Sequence, residues 1–164
     1  MVTIRDAIAA DAPFIAAIYA HYILHSSVTF EEQVVDDLEI ARRIADLQSL
    51  SLPWLVACLD GVVIGYAYAS KWRVRHAYRF SVESSIYLTP GYERRGFGVA
   101  LYRALIDAVT RSGHHVLIGG VALPNAASVA LHEKLGFTQV ARFSEVGFKF
   151  GRWIDVGYWE LKLG

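Results

Sequence analysis

Cysteine occurs once in this 164-residue chain, at Cys58. A single thiol cannot build an intrachain disulfide framework, and that usage suits a reducing compartment, the cytoplasm. Inside "WLVACL" it reads as a small buried hydrophobe. An excess of one charge is lacking as well. The 16 Lys and Arg residues balance 16 Asp and Glu, so no global field gathers nucleic acid or a membrane surface, and any anion site must be local. No apolar run approaches the ~20 residues that span a bilayer. The opening "MVTIRDAIAADAPF" carries acidic residues and no basic start before an apolar core, so it does not read as a secretion signal. No Cys/His/Asp spacing forms a zinc site, His114 and His115 being merely adjacent, and no metal is expected. Repeats, low-complexity stretches and linkers are also missing, which leaves one domain over residues 1–164.

What is present is apolar surface to bury. With 54% hydrophobic and 13% aromatic residues, the chain is excluded from the disordered class and has material for a packed core. "VTIRDA" reads as a first strand. Asp11 offers an N-cap before Pro13, and Phe14, Ile15, Ile18 and Tyr22 recur at helical spacing. "VDDLEIARRIADLQ" reads as a second helix with Leu38, Ala41, Ile44, Ala45 and Leu47 as its apolar stripe. "WLVACL" and "VVIGYAYA" flank Asp60-Gly61, a hairpin signal. "FSVESSIYL" alternates Phe80, Val82, Ser84, Ile86 and Leu88 with Ser81, Glu83, Ser85 and Tyr87 on the other face. A helix through residue 109 follows, with Val99, Tyr102, Leu105, Ile106 and Val109 facing the core and Gly113 closing it. Then come the strand "HVLIGGVAL", a short helix "NAASVALHEKLGF" between Asn125 and Gly136, and two strands meeting near Gly151-Arg152. Strands alternating with helices predict an α/β domain.

Chemistry concentrates in "PGYERRGFGVALYRALIDAV", residues 90–109. A strand, a glycine-rich turn and a helix in that order expose unpaired N–H groups at the positive end of the helix, which suits phosphate. Neither standard nucleotide string fits: G-x-x-x-x-G-K-[ST] is absent, and Leu101 occupies the third small position of a dinucleotide fingerprint. On its own, "RRGFG" is either an anion cradle or an exposed basic turn. Glu83 stands in an otherwise apolar and hydroxyl-bearing strand just before that turn. It is either a base whose pKa its surroundings raise or a carboxylate on a solvent face. In "SKWRVRHAYRF", Arg73, Arg75 and Arg79 would share one side if the segment stays extended. Forked guanidiniums suit a carboxylate or phosphinate; the alternative is a solvated basic loop.

The order of these elements resembles the GNAT acetyltransferases along nearly the whole chain. The resemblance implies a mixed, mostly antiparallel central sheet flanked by about four helices, with acetyl-CoA as co-substrate. It implies that Arg94, Arg95, Gly96, Phe97, Gly98 and Val99 hold the pyrophosphate, and that backbone groups of Ile86, Tyr87 and Leu88 pair with the pantetheine arm. The family motif usually opens with Gln or Arg where Glu93 stands here. "SVTF", "PWLVA", "YAYASKW", "AYRFSVESSIYL", "SVALHEKLGF" and "VGFKFGRWIDVGYW" together are similar to the phosphinothricin and methionine sulfoximine N-acetyltransferases. That likeness implies a small amino-acid-like acceptor, Glu83 as general base, and Arg73 and Arg75 on the anionic substrate, with Phe30 and Tyr78 walling it. Many relatives have tyrosine where "LHEKLGF" puts His132, which is then either the proton donor to the departing thiolate or a packed helix histidine. Asn125 is an N-cap, a cofactor contact, or both. A homodimer built on the C-terminal hairpin follows from the likeness alone, and roles for Lys149, Trp153 and Asp155 do not follow from their chemistry. Competing functions are acetylation of protein N-termini or polyamines, and a non-catalytic acyl-CoA sensor. The arginines argue against polyamines, and Glu83 with His132 against a sensor.

Overall fold

The computed structural model describes residues 1–164, with β1 (Val2–Asp6), α1 (Ala12–His25), α2 (Asp37–Ser49), β2 (Trp54–Leu59), β3 (Val62–Lys71), β4 (Ser81–Leu88), α3 (Phe97–Arg111), β5 (Val116–Leu123), α4 (Ala126–Lys134), β6 (Thr138–Lys149) and β7 (Arg152–Lys162). The strands form one seven-stranded sheet in the order β1-β2-β3-β4-β5-β7-β6. Every neighbouring pair is antiparallel except β4 with β5. Those two are parallel because α3 carries the chain back across one face between them. The mixed, mostly antiparallel sheet and its four α-helices agree with the expected architecture.

Both faces of the sheet are covered, which explains the unbroken apolar run of β2. Trp54, Val56 and Cys58 face α1 and α2, where they pack with Ile15, Ile18, Ile40, Ile44 and Tyr66. Leu55 and Ala57 face the opposite way into a cluster containing Val82, Leu101, Tyr102, Leu105, Leu117, Phe137 and Trp159. Cys58 is the buried hydrophobe that its neighbours predict.

Two local expectations need correction. On α2 the buried residues are Ile40 and Ile44, while Leu38 is 78% exposed. Two residues of helix turn the side chain by about 200°, so Leu38 and Ile40 cannot share a face. Asp11 does occupy the N-cap position of α1, but its side chain makes no cap bond there. Its oxygens instead accept from the two terminal guanidinium nitrogens of Arg5 and from the Ile8 N–H, which ties β1 to the start of α1. The arginine holds the Asp11 carboxyl below the usual carboxylate range.

The feature that creates a site is the short ladder between β4 and β5. They pair only over Ser81–Ser84 with Val116–Gly119. Both strands then continue, to Leu88 and Leu123, without meeting. β4 remains paired to β3 along this stretch, and β5 to β7. The centre of the sheet therefore opens into a fork whose two inner edges carry unpaired backbone groups.

Candidate active site

Three things converge on the fork: the N-terminus of α3, a half-buried carboxylate on one face and a buried histidine on the other.

α3 begins directly after the turn that leaves β4. Gly96 is its N-cap in the left-handed region, φ 84°, and no side chain caps the helix. Two other helices, α2 and α4, are capped by side chains. Asp36 accepts from the Glu39 N–H on α2, and Asn125 accepts from the Ser128 N–H on α4. On α3 the N–H groups of Phe97, Gly98 and Val99 are left for something else. A Cβ on Gly96 would meet nothing within 4 Å, so the approach to those donors is open. Arg94 and Arg95 are exposed beside it, with Arg95 over the rings of Tyr92 and Phe97. An uncapped helix end with two guanidiniums and free access fits a pyrophosphate. Glu93 is not part of that cradle: its side chain accepts from the Gly91 N–H at 2.8 Å and closes its own turn.

β4 supplies the next part. Ile86 and Leu88 pack toward the α3 face, and the ring of Tyr87 lies among Tyr19, Tyr22 and Tyr66 on the other, as the alternation predicts. Tyr22 donates to the Leu88 carbonyl. The open edge of this strand, facing β5 across the fork, fits an amide-bearing arm laid along it.

Glu83 sits where the fork begins, opposite Ile118 in the last part of the ladder. Burial pushes its carboxyl above the usual range, and Arg73 pulls it partly back. Arg73 is therefore close enough to be felt, its guanidinium lying over the Trp72 ring at 4.6 Å. The segment beyond does not stay extended. The chain bends at Trp72, Val74 and Arg75, a single tight turn follows at His76–Tyr78, Arg79 folds back onto the His76 carbonyl and the Phe80 ring, and the alternation that would align Arg73, Arg75 and Arg79 is lost. Arg75 and Tyr78 stand exposed on this turn. Phe30 belongs to the loop after α1, and its ring rests on Gly147, where any Cβ would fall 2.3 Å from Phe30 Cζ. Lys149 holds that loop, its Nζ donating to the carbonyls of Ser26 and Thr29 at 2.8 Å each.

His132 lies across the sheet from Glu83. It is 4% exposed, edge-on to Tyr102 and Phe137. Its Nδ1 is 2.7 Å from the Ser128 carbonyl, which can only accept, so Nδ1 carries a proton. Nε2 is directed at Gly119, where a Cβ would lie 2.4 Å away. Burial lowers the pKa of the ring. Adjacent Gly119 and Gly120 thus serve opposite faces. Gly119 admits His132, and Gly120 borders Glu83, whose Oε2 would be 3.4 Å from a Cβ there. A further hollow of about 650 Å³, with Asn125, Arg142, Trp153 and Asp155 in its wall, lies by the C-terminal hairpin and includes neither Glu83 nor His132.

Two contributors are invisible to motif reasoning. Tyr102 reaches Ser84 with its hydroxyl beneath the fork, and Tyr158 of β7 stands beside Glu83. Each looks in sequence like one more aromatic core residue, and only the register of the sheet brings it to the site.

Comparison with known proteins agrees with this geometry. Residues 4–157 match the acetyltransferase (GNAT) domain. The L-methionine sulfoximine/L-methionine sulfone acetyltransferase of Salmonella typhimurium is 40% identical over 98% of this chain and 94% of its own. The phosphinothricin N-acetyltransferase of Streptomyces viridochromogenes is 40% identical over 97% of this chain and 86% of its own. A Salmonella typhimurium acetyltransferase solved with its cofactor acetyl-CoA superposes with a TM-score of 0.97 at 40% identity, covering 99% of this chain and 94% of that one.

Proposed function

This chain belongs to the GNAT acetyltransferase family, and from that premise we propose that it transfers the acetyl group of acetyl-CoA to the α-amino group of a small amino acid or amino-acid analogue. The observation that carries the reading is the position of Glu83, a half-buried carboxylate where the fork begins, within the field of the Arg73 guanidinium. An α-amino acid brings an ammonium and a carboxylate on one carbon, and two opposite charges set side by side are its complement. The relatives named for phosphinothricin and methionine sulfoximine support an acceptor with a tetrahedral phosphinic or sulfoximine side chain, gripped by Arg73 and Arg75 and walled by Phe30 and Tyr78.

Acetyl-CoA supplies the acetyl group as a thioester. The α3 N-terminus with Arg94 and Arg95 holds the pyrophosphate, Asn125 adds a contact, and the open edge of β4 at Ile86–Leu88 aligns the arm and offers an N–H to the developing oxyanion. Glu83, directly or through a water, takes the proton of the acceptor ammonium so that nitrogen can attack. His132 assists the departing sulfur from the α4 side. Transfer is direct, since Cys58 is buried on β2 away from the fork. A second copy of the chain, meeting the first through the C-terminal hairpin, completes the working unit.

The test is thiol release from acetyl-CoA with phosphinothricin, methionine sulfoximine, methionine sulfone, ordinary amino acids, spermidine and a short peptide as acceptors. Turnover is expected with the amino-acid compounds. Turnover confined to peptide or spermidine overturns the reading of the arginines. In the same assay Glu83→Gln should lower kcat by about 10²–10⁴-fold while the KM for acetyl-CoA stays within about twofold. A parallel loss of cofactor affinity would remove Glu83 from the role of base.

A further inference from the structure

Gly120 is the first residue of β5 beyond the ladder with β4, and β7 sets Tyr158 opposite it. A methyl group on Gly120 would lie 3.0 Å from Tyr158 Cε1 and 3.4 Å from Glu83 Oε2. The phenol ring and the carboxylate thus close on one backbone position from two sides, and the missing side chain leaves a small hollow between them. The ring is clamped edge-on by Trp72 at 5.3 Å and by Phe143 at 5.8 Å. Those two aromatics fix where its hydroxyl can be, which is what a positioning group requires. No other side chain or backbone group holds that hydroxyl, while Glu83 and Arg73 are the charges it feels. Burial and the Glu83 charge keep the phenol protonated, so near neutral pH it remains a neutral group that can both donate and accept.

We propose that Tyr158 is an acceptor-binding residue: its hydroxyl takes a hydrogen bond from the acceptor amine in the hollow that Gly120 leaves open, and so aims the nitrogen while Glu83 removes its proton. This rests on the reading of Glu83 as the base for an amino-acid amine. It goes further by assigning the amine a second, uncharged contact and by making the Gly120–Tyr158 pair a determinant of acceptor choice. A carboxylate alone attracts any cation; a fixed hydroxyl beside it selects an amine presented in one direction. The glycine has a separate duty, because even one added methyl would fill the place of the amine.

The experiment compares the wild-type enzyme with Tyr158→Phe, Gly120→Ala and Glu83→Gln, using the amino-acid acceptor that the wild type turns over best. Tyr158→Phe should raise the KM for that acceptor on the order of 5–20-fold and leave the KM for acetyl-CoA and the melting temperature unchanged. Gly120→Ala should also raise the acceptor KM, more steeply for bulky acceptors than for glycine, and it decides the matter if Tyr158→Phe folds poorly. Wild-type acceptor KM in both variants, with Glu83→Gln inactive, overturns the Tyr158 assignment and leaves the reading of the base standing. Equal losses toward both substrates with a lowered melting temperature mean a packing role and overturn it too. Failure of the wild type to acetylate any amino acid overturns both.

Discussion

Because Nδ1 of His132 donates to the Ser128 carbonyl, the neutral ring has no proton on Nε2, the nitrogen that faces the fork. It can hand a proton to a departing sulfur only as imidazolium, and burial makes that form scarcer than in a free histidine. The sign follows. The imidazolium population grows as pH falls toward the lowered pKa and vanishes above it, so any contribution of His132 as acid belongs to the acidic side of the rate profile. The ratio of wild-type to His132→Gln kcat should therefore shrink as pH rises from about 5.5 to about 8, measured by thiol release at each pH. A ratio independent of pH would leave the histidine a packing role against Tyr102 and Phe137. At this scale the sequence was informative wherever a polar residue interrupts apolar surroundings, as at Glu83 and His132. It was silent on Tyr158, since an aromatic among aromatics carries no signal and its partner Glu83 stands far away along the chain.

Lys149 shows how an element can be held by one side chain. It is 1% exposed, yet it has no carboxylate partner and spends its charge on two carbonyls in the loop after α1. That loop presents Phe30, whose ring fits only because Gly147 on the same strand has no side chain. Lys149→Met keeps the length and removes the donors, leaving two carbonyls without partners. A loss of about 1–3 kcal/mol is expected, seen as a fall of roughly 3–10 °C in melting temperature, together with a higher acceptor KM as Phe30 loses its seat. An unchanged melting temperature would mean that the loop is held by other contacts, such as the Tyr19–Thr29 bond. Elements themselves were largely legible. Asp60-Gly61 marked a hairpin, Asn125 a cap, and "FSVESSIYL" a strand with the right residues on each face. The errors arose where packing decides. Only the sheet beneath α2 selects Ile40 over Leu38, and the turn at His76–Tyr78 ends an extended run that spacing alone would have continued.

For the molecule as a whole, balanced charge leaves apolar surface as the means of self-association. The C-terminal hairpin exposes at least half of Phe143, Val146, Phe148, Phe150 and Trp153, and β6 is an edge strand. Exposed apolar residues clustered on an open edge invite a partner. Sedimentation should show a species of twice the 18.2 kDa chain mass, and Trp153→Glu should shift it to monomer; a wild-type monomer would remove the second copy from the proposed working unit. The order of elements was readable from the chain, but the length of the β4–β5 ladder was not, because no residue marks where two parallel strands part. That parting has a consequence beyond ligand room. The four antiparallel strands β1–β4 and the three strands β5–β7 are joined by a ladder of only four residues on each side, and α3 packs on the first group, against β2, β3 and β4. In mechanical terms the protein is two plates and a rivet. A shorter ladder would loosen the joint between the plates and a longer one would close the mouth, so the end of the register at Ser84 and Gly119 sets the width of the opening.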